Sequence, residues 1–255
     1  MDIELAKGES ISEVGDKLKL IYAGHGLAWG TDAYLLAASV RPVRRVCELG
    51  CGTGIISLLA AAYGKAKEVV ALEIREDMAS LARRNVELNS LSDSVSVITA
   101  DIREVHEIQL GGRFDAILAN PPYIAHPGQA KLDDAAQDAR HENHGGIADF
   151  CAAAAKLLKH GGSFYCVFRT ERLPELFEAM RRVRIEPKRM TEVYPDTVSR
   201  PSAVIVEGKL GASPRLDVTP PIVLYLDEPR NTTRVRTAAF EKIQNTCAFP
   251  KEWIK

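Results

Sequence analysis

The chain has 255 residues, with 33 Lys/Arg against 34 Asp/Glu for a formal net charge of −1, and 46% of its residues are hydrophobic. These proportions are ordinary for a globular protein and argue against a uniformly basic nucleic-acid coat. No run approaches the roughly 18 apolar residues of a membrane span, and five cysteines without a C-x-x-C give neither a disulfide framework nor a zinc site.

The start, Met1-Asp2-Ile3-Glu4, lacks the charged-then-apolar order of a signal peptide, so the expected compartment is the cytoplasm. Residues 1–45 are too short for a domain of their own. They contain a helical stretch at about 31–40, opened by Thr31-Asp32, and read as an extension covering a ligand site. From residue 46 onward strands and helices alternate. Val46–Leu49 reads as a strand that enters the glycine-rich turn Glu48-Leu49-Gly50-Cys51-Gly52-Thr53-Gly54, followed by a helix at about 54–64. Glycines let backbone approach a ligand closely. The spacing is not the dinucleotide G-x-G-x-x-G, and no Gly-Lys-Ser/Thr follows, which excludes a P-loop. An acid inside the turn, Glu48, suits a ligand carrying an ammonium group.

The strand Glu68–Leu72 is followed by Glu73, where a carboxylate can take both hydroxyls of a ribose. After a helix at 76–90, the strand Val95–Thr99 leads to Asp101, which could accept from an adenine amino group. Ribose, adenine and an amino acid together make S-adenosylmethionine. The run Phe114–Ala119 then reads as a buried strand ending in Asn120-Pro121-Pro122-Tyr123. Pro122 drives its predecessor into an extended conformation, which holds the Pro121 carbonyl outward beside the Asn120 side-chain oxygen. Two adjacent acceptors can take both hydrogens of a planar amino group, and Tyr123 offers a face for the ring to stack on.

A helix at 147–160, ended by Gly161-Gly162, precedes the strand Phe164–Phe168 and a helix over Glu171–Val183. Arg189–Tyr194 and Ala203–Glu207 read as an antiparallel hairpin closing the sheet, and residues 208–255 as an irregular or short-stranded tail. The charge is uneven: residues 1–168 hold 17 Lys/Arg and 22 Asp/Glu, whereas residues 169–255 hold 16 and 12. Arg181, Arg182, Arg184, Lys188 and Arg189 crowd together. Such a cluster is commonly a solvated helix face, and it is also the kind of patch that tracks phosphates.

The glycine turn with Asn120-Pro121-Pro122-Tyr123 resembles the class I S-adenosylmethionine-dependent amino-methyltransferases. Thr31-Asp32-Ala33-Tyr34-Leu35-Leu36-Ala37-Ala38, Ala139-Arg140-His141-Glu142, Ile185-Glu186-Pro187-Lys188-Arg189 and Val206-Glu207-Gly208-Lys209 resemble, more narrowly, the bacterial tRNA1(Val) adenine-37 N6-methyltransferases. Leu27-Ala28-Trp29-Gly30-Thr31 and Asn231-Thr232-Thr233 depart from that family's pattern.

The resemblance implies an α/β fold with a doubly wound, mostly parallel seven-stranded sheet over residues 46–207, an antiparallel C-terminal hairpin, and a tail (208–255) packed on the same domain. It implies S-adenosylmethionine held by Thr31, Asp32, Glu48, Gly50, Cys51, Gly52, Gly54, Glu73, Ile74, Asp101, Ile102 and Asn120, with Asn120 to Tyr123 on the target base. Tyr123, Arg140, His141, Arg181, Arg182, Lys188, Arg189 and Lys209 would meet a tRNA substrate. No metal, no membrane and a monomer or weak dimer are expected. A protein-glutamine methyltransferase of the release-factor type, a guanine-N2 RNA methyltransferase and a non-catalytic cofactor-binding module are the rival readings.

Overall fold

The computed structural model describes residues 4–23, 30–122, 145–226 and 234–253. Its centre is a sheet with the strand order β10-β8-β9-β7-β6-β3-β4-β5, and β11 pairs with β8 beside β10. The parallel core comprises β3 (Val43–Leu49), β4 (Ala66–Glu73), β5 (Val95–Thr99), β6 (Phe114–Ala119) and β7 (Leu158–Arg169). The hairpin expected at the C-terminal side is present: β9 (Ala203–Leu210) runs antiparallel to both β7 and β8 (Ile185–Tyr194). The expected sheet of seven strands needs enlarging. The two-residue strands β10 (Asp217–Val218) and β11 (Ile222–Val223) both extend it along β8, so the sheet has nine strands among the described residues.

Side chains alternate across the strands, which gives the sheet two buried faces. Val46, Ala116 and Leu118 meet α1 (Thr31–Ser39) and α2 (Ile55–Ala62) on one face. Cys47, Leu49 and Ile117 meet α4 (Ile147–Leu157) and α5 (Leu173–Arg182) on the other. All five cysteines are buried and unpaired. The tail adds a helix the sequence reading did not foresee, α6 (Ala238–Thr246), whose Phe240 and Ile243 join the α1 face. The helix expected to run to residue 160 stops at Leu157, because Leu158 already pairs with Phe114 as β7 begins.

The N-terminal segment forms a further hairpin that periodicity did not reveal, β1 (Glu9–Val14) with β2 (Leu18–Ala23). Two asparagines of α3 (Glu76–Leu88) and its cap fasten it. Asn85 accepts from the Ile21 amide at 2.6 Å and donates to the Ile21 carbonyl at 3.0 Å, and Asn89 makes the same pair of bonds to Lys19 at 2.8 and 2.7 Å. Asn85 also donates to the Thr53 carbonyl at 3.0 Å, which ties the hairpin to the glycine turn. Because Asn85 is fully buried, these bonds replace the hydration of both partners.

Candidate active site

The carboxyl ends of β3, β4 and β6, with the loop after β5, surround a cavity of about 240 Å3. In a doubly wound sheet the crevice for ligands lies at this edge. Gly50 and Gly52 form its floor, Glu73 and Asp101 supply two carboxylates, and Ile74 and Ile102 supply apolar wall. Asn120 and Pro122 close it from the β6 side.

The two carboxylates are oriented by their own neighbourhoods. Glu73 accepts from the Gly52 amide at 2.8 Å through Oε2 and from the Arg75 amide at 3.0 Å through Oε1. Each carboxylate oxygen has two acceptor positions, so one on each remains available to a ligand hydroxyl. Asp101 accepts from the Arg103 amide at 2.9 Å and pairs with its guanidinium. Asn120 contributes a different property: its Oδ1 is buried and has no hydrogen-bond partner among the described residues. A buried acceptor left unmatched carries a desolvation cost of about 1–3 kcal/mol. A donor arriving in the cavity would remove that cost.

Several expected ligand contacts lie elsewhere. Glu48, read as the partner of an ammonium group, does not line the cavity. It is 1% exposed, and its Oε2 accepts from the backbone N–H of Ser57 at 2.8 Å and from the Ser57 hydroxyl. It therefore caps the first turn of α2 from the end of β3. Burial pushes its carboxyl up to about 8, against the hydrogen bonds from Ser57. Cys51 is also buried, its amide donating to Leu72 at 2.9 Å, and its side chain does not line the cavity. Gly54 sits at φ +83° as the cap of α2, where an added Cβ would lie 3.2 Å from the Cβ of Ala82. Its role is close approach of α2 to α3, and it too is absent from the wall. Thr31 and Asp32 open α1, half-buried, and do not line the cavity among the described residues. Pro121 is buried. Tyr123, Arg140 and His141 lie outside the described residues.

Three wall residues were missed: Arg75, Met78 and Phe150. Arg75 and Met78 could have been anticipated, since the residues that follow Glu73 and open α3 must face the same edge. Phe150 could not. It enters from α4, where Asp149 accepts from the Gly146 amide at 2.9 Å, and its ring comes within 3.5 Å of where a side chain on Gly50 would begin.

The members of the basic cluster differ in their surroundings. Arg181 pairs with Glu186 at 2.8 Å and Arg182 with Glu178 at 2.6 Å, so both exposed arginines face a carboxylate. Arg189 is 6% exposed and lies 3.0 Å from the buried Glu207. The register of β8 on β9 shifts between Pro187 and Arg189, and the two basic residues find different partners there: Arg189 the buried Glu207 opposite it, Lys188 the Ser213 carbonyl at 3.0 Å. Lys188 and Lys209 are both half-buried.

The family model described as "Methyltransferase small domain" matches residues 17–186, which covers the glycine turn, both carboxylates and Asn120. The chain belongs to this methyltransferase family. Among curated relatives, a tRNA1(Val) (adenine(37)-N6)-methyltransferase of Tolumonas auensis is 32% identical, over 63% of this methyltransferase and 70% of the relative. The enzyme of the same name from Yersinia pestis is 31% identical, over 67% and 71%. A predicted O-methyltransferase from Agrobacterium tumefaciens shares the fold with a TM-score of 0.66 at 22% identity, covering 86% of this methyltransferase and 98% of that chain. The M. jannaschii TYW2 protein, solved in complex with AdoMet, superposes with a TM-score of 0.55 at 15% identity, covering 81% and 88%. Among the described residues, no helix is long and apolar enough to cross a membrane.

Proposed function

We propose that this methyltransferase transfers a methyl group from S-adenosylmethionine to the exocyclic N6 amino group of an adenosine in tRNA, beside the anticodon of valine tRNA; its relatives' names give adenine 37 of tRNA1(Val). The observation that carries the reading is the buried Oδ1 of Asn120 at the cavity wall, which has no hydrogen-bond partner among the described residues. An amino group on a planar ring has two hydrogens to give. Asn120 Oδ1 would accept one, and the Pro121 carbonyl the other.

The residues present fit the cofactor. Glu73 is held by two backbone amides with an acceptor position left on each oxygen, as a ribose diol requires. Ile74 and Ile102 give an adenine ring apolar surface, with Asp101 beside it as an acceptor. The cofactor supplies the electrophilic methyl of a sulfonium. The chain's own contribution is orientation and electrostatics. The adenine amino nitrogen is a weak nucleophile because its lone pair is delocalised into the ring. Accepting both hydrogens favours a tetrahedral nitrogen with the lone pair available for attack. Tyr123 would stack the base. Glu48, buried behind the turn, would act by holding the start of α2 rather than by touching the cofactor.

The test is a methylation assay on tRNA, rRNA and a release factor in parallel, with mass spectrometry of the products. N6-methyladenosine beside the anticodon of valine tRNA is expected. Asn120→Ala should lower turnover about 10²–10³-fold, the usual cost of one oriented polar contact to the reacting group. A methyl group found only on a glutamine side chain, or on a guanine, would replace this reading with the corresponding rival.

A further inference from the structure

A second cavity, of about 530 Å3, lies at the opposite edge of the sheet. It is lined by the segment that leads into β3, by β8 and β10, and by the end of β9, which runs the other way. Arg41 precedes β3, Lys188 and Arg189 stand near the start of β8, and Lys209 lies near the end of β9. Arg215 and Asp217 come from the tail. The two C-terminal sequence motifs, Pro187-Lys188-Arg189 and Glu207-Gly208-Lys209, meet here because β8 and β9 pair with Pro187 opposite Gly208 and Arg189 opposite Glu207.

The charges are arranged with a neutralised base and a cationic rim. Glu207 is 2% exposed, and its Oε1 accepts from Ser163 Oγ at 3.1 Å and Tyr165 OH at 3.2 Å. Its Oε2 lies 3.0 Å from Arg189 and 3.7 Å from Arg41, paired by charge rather than by an aligned hydrogen bond. Arg189 is held further by donating to the Ser39 carbonyl at 2.9 Å and the Trp253 carbonyl at 3.1 Å. This frame positions guanidinium groups without leaving a free anion in the cavity. Arg215 pairs with Asp217 at 3.3 Å. Lys188 donates only to the Ser213 carbonyl at 3.0 Å, and Lys209 makes no ion pair among the described residues. Five basic side chains therefore line the cavity against two acidic ones. Among the described residues, no carboxylate pairs with either lysine.

We propose that this cavity binds phosphate, and that the phosphates it takes belong to the backbone of the RNA substrate at a distance from the methylated base; the assignment to RNA rests on the function proposed above. Size favours a polymer over a free anion. At about 30 Å3 per water-sized volume, some 530 Å3 is far more than one inorganic phosphate fills. Trp253 adds an aromatic wall of the kind on which bases stack. The distance between the edges also fits. A strand of seven residues such as β3 spans about 23 Å, beyond the reach of a nucleotide bound at the first cavity but within that of a folded RNA.

The experiment compares the full chain with its Lys188→Ala/Lys209→Ala variant in two titrations, one with pyrophosphate and one with valine tRNA across a salt series. Unchanged affinity for S-adenosylmethionine verifies that the variant folds. Pyrophosphate binding should be lost, tRNA affinity should fall roughly tenfold, and the slope of log affinity against log salt should flatten by about one unit per lysine. Loss of pyrophosphate binding with tRNA affinity and slope unchanged would make the cavity a free-anion site and overturn its assignment to RNA. No change in either titration would overturn the site itself. If the wild-type chain neither binds nor methylates tRNA, the proposed function fails and the RNA assignment with it, while the pyrophosphate titration still decides whether the cavity binds phosphate.

Discussion

The two cavities belong to one sheet, the first at β3 to β6 and the second at β8 to β10, and could hardly differ more. The carboxyl edge has a small, largely apolar cavity in which two carboxylates are held by neighbouring backbone amides. The amino edge has a larger, polar cavity in which arginines are held by one buried carboxylate. At the first edge the carboxylates are held by loop amides, Asp101 by that of Arg103 and Glu73 by those of Arg75 and of Gly52 in the preceding turn. At the second, Arg189 is fixed by Ser39 and Glu207, brought from distant parts of the chain. The difference teaches that local loops suffice to orient acceptors for a small ligand. A cationic frame for phosphates needs the completed sheet.

Three substitutions sharpen that contrast. The largest effect is expected from Arg189→Ala, which leaves Glu207 buried with its nearer cationic partner removed. Breaking such a pair from one side costs about 3–5 kcal/mol, so urea unfolding should show a large loss of stability even without RNA. A stability within about 0.5 kcal/mol of wild type would show that Arg189 is not the keystone of the amino edge.

Glu73→Ala should act in the opposite way, through the ligand rather than the fold. Loss of hydrogen bonds to a charged acceptor should weaken S-adenosylmethionine binding by about 1.5–3 kcal/mol, read by calorimetry. Equal affinity in the variant would remove Glu73 from the cofactor site.

The smallest effect concerns Glu48, a group at the carboxyl edge that behaves like a core residue. Its folded-state pKa of about 8 exceeds the ordinary value of 4.5, chiefly because of burial. Between those values the folded chain keeps a proton that the unfolded chain has released. Stability therefore falls as pH rises through that window, and the effect levels off above pH 8. Glu48→Gln carries no such proton. The stability difference between variant and wild type should thus shift in the variant's favour by roughly 1–3 kcal/mol from pH 5 to pH 8. Parallel pH profiles for the two proteins would mean that Glu48 is ionised throughout.

What the sequence determined by itself was the parallel core and the outline of the first cavity. Short apolar runs ending in glycine, acid or Asn-Pro-Pro have to be buried strands whose last residues emerge at one edge. For that reason Glu73, Asp101 and Asn120 were expected together at one edge, where they line one cavity. The same logic overreached at Glu48, Cys51 and Gly54. Sequence adjacency to a ligand loop does not say whether a side chain turns toward the crevice or back into the helix. Only the tertiary structure decided that Glu48 caps α2, that Phe150 reaches across from α4, and that Asn85 clasps the N-terminal hairpin. It alone divided the arginine cluster as well. Lys188 and Arg189, adjacent in sequence, part at the register shift of β8 on β9, where the buried Glu207 draws Arg189 inward. The physical reason is common to all of these: local pattern sets which residues form an element and where it ends, whereas the partner of a buried polar group is chosen by whatever distant element packs against it.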